Sequence, residues 1–331
     1  MMTLSRRAFL QTATLGAGSL LLPQSGEAGN FIAKKFLAIP PKQTPFITPN
    51  KDFYIVQCCG IKTVDVNNWS LPITGLVEKP LRLNYADFLK RPATEKMVTL
   101  QCIDNEVAGE LMSNAVWKGV SLASLLQEAK PSAIAQDVIF YGADDYSDSI
   151  PLDRALNYDV FLAYQMNGVP LPKEHGFPLR AVVPGLYGIK NVKWLTKIEV
   201  VGRDYLGYWQ KKGWTDDGTI KVKSRIDAPG AYNTVKKNHI FRGVAFAGYS
   251  GIHSVKITFD GGKTWASTIL KPGTSPYAWT FWEYEWKNPK PGNYQVSVKA
   301  EDKIGRSQTD FQARPFPDGT SGLHSIVTFV D

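Results

Sequence analysis

Apolar and polar residues alternate in short runs along the first part of the chain, and two stretches there switch to helical spacing. Trp69-Ser-Leu-Pro-Ile-Thr-Gly75 alternates as a half-buried strand does and ends on a turn glycine. Asn84-Tyr-Ala-Asp-Phe-Leu-Lys90 predicts a short helix with Asn84 as its N-cap, and Ser121-Leu-Ala-Ser-Leu-Leu-Gln-Glu-Ala129 a second one capped by serine. Residues 97–102 predict a strand that ends on Cys102. Val138-Ile-Phe-Tyr-Gly142 predicts another, with Asp144 and Asp145 just past its end, and residues 198–202 close the unit. The mixture predicts an α+β domain over 30–215.

Helical spacing disappears after a Trp/Lys/Gly-rich connector at 208–218. Apolar runs at 240–247, 254–259, 264–269, 279–286 and 294–300 alternate with Gly, Pro and Asn turns, and Asp260-Gly261-Gly262 marks a hairpin between the second and third. Short strands at that spacing predict an immunoglobulin-like β-sandwich over 219–331. Trp265, Trp279, Trp282 and Trp286 are expected in its core and at an interface, which makes this domain the expected surface of a homodimer.

The first 28 residues read differently. Ser5-Arg6-Arg7-Ala8-Phe9-Leu10 precedes an Ala/Gly/Leu-rich stretch from Ala13 to Leu22, the signature of a twin-arginine signal peptide with cleavage after Ala28. That stretch is too short to span a membrane. The expected destination is the periplasm, reached through the twin-arginine export machinery, which carries proteins already folded.

Net charge is +8, but the basic residues are scattered, so the charge fits an anionic substrate, cofactor or redox partner and no nucleic-acid partner is expected. Three cysteines make no disulfide framework. Cys58 and Cys59 follow the apolar run Phe53-Tyr-Ile-Val-Gln and are expected to be small buried hydrophobes. A bond between them is not expected, because a single peptide ties their α-carbons. No Cys-x-x-Cys-His occurs, so no covalent haem is expected and electrons must leave to a separate partner.

Two pieces carry candidate chemistry. Thr99-Leu-Gln-Cys102 offers one soft thiolate at a strand end, enough to hold a metal if a cofactor supplies the other ligands. His175-Gly-Phe-Pro-Leu-Arg180 and the run to Lys190, Lys193 and Trp194 collect anion-binding donors on a Gly/Pro-rich frame. Apolar residues between those charges predict burial, and buried cations need an anion beside them.

These residues, with Leu162-Ala-Tyr-Gln-Met-Asn-Gly168, Val183-Pro-Gly185, Asn191-Val-Lys193-Trp194 and Val255-Lys-Ile-Thr-Phe-Asp-Gly-Gly-Lys-Thr-Trp265, resemble the sulfite oxidase family of molybdopterin enzymes over nearly everything after the export segment. The resemblance implies one molybdenum-molybdopterin per chain, with Cys102 as the protein ligand to the metal. It implies that Tyr54, Ile55, Asp144, His175, Arg180, Asn191, Val192 and Lys193 contact the cofactor. It implies oxygen-atom transfer to or from a small molecule, with a c-type cytochrome or another external carrier taking or giving the electrons.

The sequence departs from the family around the substrate. Sulfite oxidases carry Arg-Asn-His where this chain has Val56-Gln57-Cys58, and arginines where it has Ile103-Asp104-Asn105-Glu106-Val107. The family's active-site tyrosine falls on Trp214. Asn105 and Trp214 are therefore candidate pocket walls, and Lys211 and Lys212 candidate contacts at its mouth. Charge-assisted hydrogen bonds contribute about 1.5–3 kcal/mol each, so losing two costs roughly a hundredfold or more in binding a dianion. A neutral or weakly polar substrate is expected, S-oxides and N-oxides being one candidate class, with sulfite oxidation and a non-catalytic binding or assembly role as the alternatives.

Overall fold

The computed structural model describes residues 41–42 and 44–331, so the export segment at 1–28 lies outside the described residues. Strands dominate. The helices are short: Tyr85–Lys90, Leu122–Ala129 and Leu152–Ala155. The expected α+β unit is thus mostly β with few helices, because its amphipathic stretches run for two turns at most.

A mixed sheet and an antiparallel sheet form the first part of the fold. One has the spatial order Leu81–Asn84, Ser70–Gly75, Leu195–Val201, Asp137–Gly142, Ser147–Pro151, with Ser70–Gly75 and Leu195–Val201 running parallel. The other has Thr94–Gln101, Met112–Ser121, Phe161–Met166 and Val169–Pro170, and Arg180–Val182 adds to Phe161–Met166. Leu71, Ile73, Phe88, Leu125, Phe140, Leu162 and Ile198 fill the core that the first sheet shares with the two-turn helix. The Asn84 cap forms as expected. Its side chain accepts from the Asp87 amide at 3.0 Å, and Asp87 accepts from the Asn84 amide at 2.9 Å. Ser121 sits at the N-cap position, but its hydroxyl makes no cap hydrogen bond.

The second part is a β-sandwich. Lys223–Ala228, His239–Phe246, Thr280–Trp286 and Ile269–Lys271 form one sheet; Thr234–Val235, His324–Val330, Gly292–Asp302, Ile252–Thr258 and Ala266–Ser267 form the other. Ile226, Phe241 and Ala245 of the first face Val255, Val296, Val298 and Ile326 of the second. The stretch expected as one strand at 264–269 is divided. Ala266–Ser267 closes the hairpin onto Ile252–Thr258, and Ile269–Lys271 crosses to pair with Thr280–Trp286. Trp265 is correspondingly outside the core, its ring N–H donating to Gly262 O at 3.1 Å, while Trp279 and Trp282 are fully buried.

The strand that leads to Cys102 is held by the far part of the chain. Thr99 donates its amide to Tyr277 O at 2.9 Å, and its hydroxyl accepts the Trp279 amide at 2.9 Å. Tyr277 also donates its hydroxyl to Asp159 at 2.6 Å. Ile103, Met112, Tyr187, Ile189, Phe246 and Trp279 close an apolar cluster across the same junction.

Candidate functional site

Loops at the ends of strands from these two sheets meet around a cavity of about 400 Å³. Cys102 enters it directly after the strand Thr94–Gln101. Its amide donates to Leu111 O at 2.9 Å and its carbonyl accepts the Asn105 amide at 3.2 Å, so the chain turns back at once and leaves the side chain on the cavity wall. Burial pushes the thiol up to about 11, outweighing the Asp104 amide that donates to the sulfur. A thiol so buried keeps its proton at neutral pH unless a metal displaces it.

The opposite wall is basic. Arg180 is buried at the start of Arg180–Val182, lies 4.9 Å over the Trp117 ring, and donates only to backbone carbonyls, His175 O at 3.1 Å and Asn191 O at 3.3 Å. Burial lowers its pKa to about 10. Lys193 reaches Glu174 O at 3.2 Å, Val56 O at 3.4 Å and Gln57 Oε1 at 3.4 Å. Burial, and next Arg180, pull it down to about 7. Neither cation forms an ion pair among the described residues. His175 is buried and held near 4 mainly by desolvation, so it is neutral, and its Nε2 pairs with Asn50 O at 2.9 Å. A carbonyl can only accept, so Nε2 carries the proton.

Tyr54, Asp144, Asn191, Val192 and Trp214 line the same cavity as Cys102, His175, Arg180 and Lys193, so nine of the residues singled out in the sequence come together. Asn191 acts on the frame: its amide oxygen accepts from Val183 N at 2.8 Å and its amide nitrogen donates to Tyr187 O at 3.0 Å. Asp144 has its carboxyl raised by burial. Trp214 stands edge-on to Phe316 at 5.3 Å.

Other residues fall elsewhere. Ile55 is 43% exposed and outside the cavity lining, although its neighbours Tyr54 and Val56 line it. Asn105 is turned away from the cavity, its amide oxygen accepting from Leu111 N at 2.9 Å to close the loop after Cys102. Lys211 and Lys212 lie over the Tyr205 and Tyr208 rings, at 5.0 and 4.7 Å, and do not reach the lining. Lys190, grouped with the anion-binding donors in the sequence, is buried between Asp148 at 2.9 Å and Asp216 at 2.7 Å.

The adjacent cysteines also differ from expectation: Cys58 and Cys59 are joined by a disulfide, with α-carbons 3.8 Å apart, and both are half-buried. The expectation rested on the single peptide that ties the two α-carbons. No strand, in which neighbours point to opposite faces, forms over 53–59, so both sulfurs turn to one side. Phe53, Tyr146, Ile189 and Trp209 also line the cavity and were not singled out as site residues. Tyr146, Phe53 and Ile189 were within reach of sequence reasoning, each within two residues of Asp144, Tyr54 or Asn191.

The donor set fits a phosphorylated, metal-carrying heterocycle. Two cations bonded only to carbonyls await an anion, a neutral imidazole and a frame of peptide groups suit a polar ring, and one thiol faces them. Cavities of this size hold organic cofactors.

A family model described as the oxidoreductase molybdopterin binding domain matches residues 59–209. Rat mitochondrial sulfite oxidase is 31% identical over 329 residues, covering 84% of this chain and 60% of the rat protein. Arabidopsis thaliana sulfite oxidase is 31% identical over 313 residues, covering 75% of this chain and 80% of the plant protein. A rice NADH nitrate reductase is 29% identical over 330 residues, covering 80% of this chain and 36% of that protein. The chain spans about 60% of the length of the mammalian mitochondrial relatives. Among solved structures, the sulfane dehydrogenase SoxCD from Paracoccus pantotrophus matches with a TM-score of 0.75 at 25% identity, covering 86% of this chain and 83% of that one.

Proposed function

The chain belongs to the sulfite oxidase family of molybdopterin-dependent oxidoreductases, and from that premise we propose that it transfers an oxygen atom between water and a small uncharged S-oxide or N-oxide. The observation that carries the cofactor reading is the pair of cations, Arg180 and Lys193, that lack a carboxylate and share one cavity with the Cys102 thiol. When bound, the cofactor supplies a molybdenum centre able to exchange one oxygen atom and two electrons with a substrate. Cys102 would ligate the metal, Arg180 and Lys193 would hold the phosphate, and His175, Asn191, Val192, Tyr54 and Asp144 would seat the pterin. Asn105 would act one step back, fixing the loop that aims Cys102.

Support for an uncharged substrate comes from the wall around the thiol. Val56, Gln57, Cys58, Ile103, Trp209 and Trp214 are uncharged, and Asp104 is the acid among them, raised by burial. Such a wall excludes water and repels a dianion more than a dipolar oxide. Sulfite oxidation is the second reading, favoured by Lys223. That lysine bonds Thr320 Oγ1 at 2.6 Å and Asn105 O at 3.4 Å, and although burial lowers its pKa to about 7, it places a cation behind the Cys102 loop below that pH.

The reading extends to an exported, periplasmic enzyme with a catalytic domain over 30–215 and a dimerising sandwich over 219–331, one cofactor per chain, no haem, and an external cytochrome as electron partner. Molybdenum-loaded protein should reduce dimethyl sulfoxide or trimethylamine N-oxide with a reduced viologen dye, and Cys102→Ser should abolish this. Sulfite turnover with cytochrome c should be slower by about a hundredfold or more. Saturable sulfite oxidation at micromolar substrate, without oxide reduction, overturns the substrate and leaves the family standing.

A further inference from the structure

The disulfide between Cys58 and Cys59 takes no part in the roles assigned above. A disulfide stabilises by closing a loop of chain, and one between neighbouring residues closes almost none, so holding distant segments together does not account for it. Its position does point to chemistry. Cys58 forms part of the wall of the cavity that holds Cys102, and Cys59 does not. A carboxylate oxygen of Asp144, also on that wall, and the two sulfurs lie within 4.8 Å of one another. The segment carrying the pair has no regular structure. Lys193 tethers it just before the sulfurs, through Val56 O and Gln57 Oε1, and at Gly60, just after them, open space surrounds the backbone.

We propose that the Cys58–Cys59 disulfide is a thiol-exchange site, which takes a small thiol from the cavity as a mixed disulfide on Cys58. The thiol loses its proton and its sulfur attacks Sγ of Cys58, the sulfur that the cavity exposes. A bond forms between those two atoms, and the Cys58–Cys59 bond breaks with its electron pair leaving on Sγ of Cys59. Cys59 then takes up the proton that the thiol gave, carried by the Asp144 carboxyl that adjoins both sulfurs. The incoming sulfur is oxidised and Cys59 reduced, so no other oxidant enters. The reverse attack by Cys59 releases the thiol and restores the pair.

Purified holoenzyme, never exposed to reductant, is incubated with limiting 2-mercaptoethanol, quenched with iodoacetamide and mapped by peptide mass spectrometry. One mercaptoethanol per modified chain, on Cys58 with Cys59 alkylated, is the expected result. Cys102 stays silent, because a thiol forms no mixed disulfide with another thiol. Cys59→Ser, which removes the disulfide, should lose the adduct entirely. An adduct on Cys59, or none in the folded protein under conditions where the unfolded chain reacts fully, overturns the proposal. The adduct is read by mass, so this result stands whether or not the enzyme turns over an oxide.

Discussion

Lys190 and Lys193 leave one loop three residues apart, and both are withdrawn from water, yet their surroundings are opposite in kind. Lys190 lies between the carboxylates of Asp148 and Asp216 and also donates to Ser149 O at 3.0 Å. Burial alone would pull its pKa down, but the two acids outweigh burial and hold it above the ordinary lysine value. Lys193 has only carbonyl and amide oxygens and sits near 7. A buried cation whose partners are complete is part of the frame. One whose partners are missing marks the place where a ligand supplies them.

Substituting each lysine should separate the two roles. Lys190→Met leaves Asp148 buried without its cation, and the expected loss of stability is about 3–5 kcal/mol, read from denaturant unfolding of cofactor-free protein. A variant as stable as the parent would end the distinction. Lys193→Met should move that stability by less than about 1 kcal/mol, since Asp144, the buried acid it acts on, forms no ion pair with it. It should weaken binding of inorganic phosphate to cofactor-free protein by about 10- to 100-fold in calorimetry. Equal phosphate affinity in the two proteins would show that the anion sits elsewhere. The smallest effect is that of pH. Lys193 loses its proton as pH rises through about 7, so phosphate affinity should fall by up to about tenfold between pH 6 and 8. In Lys193→Met that part of the pH dependence should vanish, and Lys190, held charged by its acids, should add none.

The same pair marks the limit of what the sequence discloses. Lys190 and Lys193 look alike there, and only folding brings Asp148, forty-two positions away, onto one of them. What was legible was local: the Asn84 cap, the Asp260-Gly261-Gly262 hairpin, and the alternation that puts Cys102 at a strand end. The basic wall of the cavity was legible because Arg180, Asn191, Val192 and Lys193 fall within one short segment with His175. Three features were not. Asn105 turns into its own loop, the stretch at 264–269 divides between two sheets, and Cys58 bonds Cys59. Each depends on how a short irregular segment meets a partner that periodicity does not register.

The hydrogen bonds that join Thr99 to Tyr277 and Trp279 set an order of events during synthesis. The strand that presents Cys102 and its ladder partner Met112–Ser121 are translated early, but the residues that hold its other edge at Thr99 come from the final quarter of the chain. The cavity lining itself, from Phe53 to Trp214, is translated before those residues, so its walls exist in the chain before the contacts that brace the strand behind Cys102.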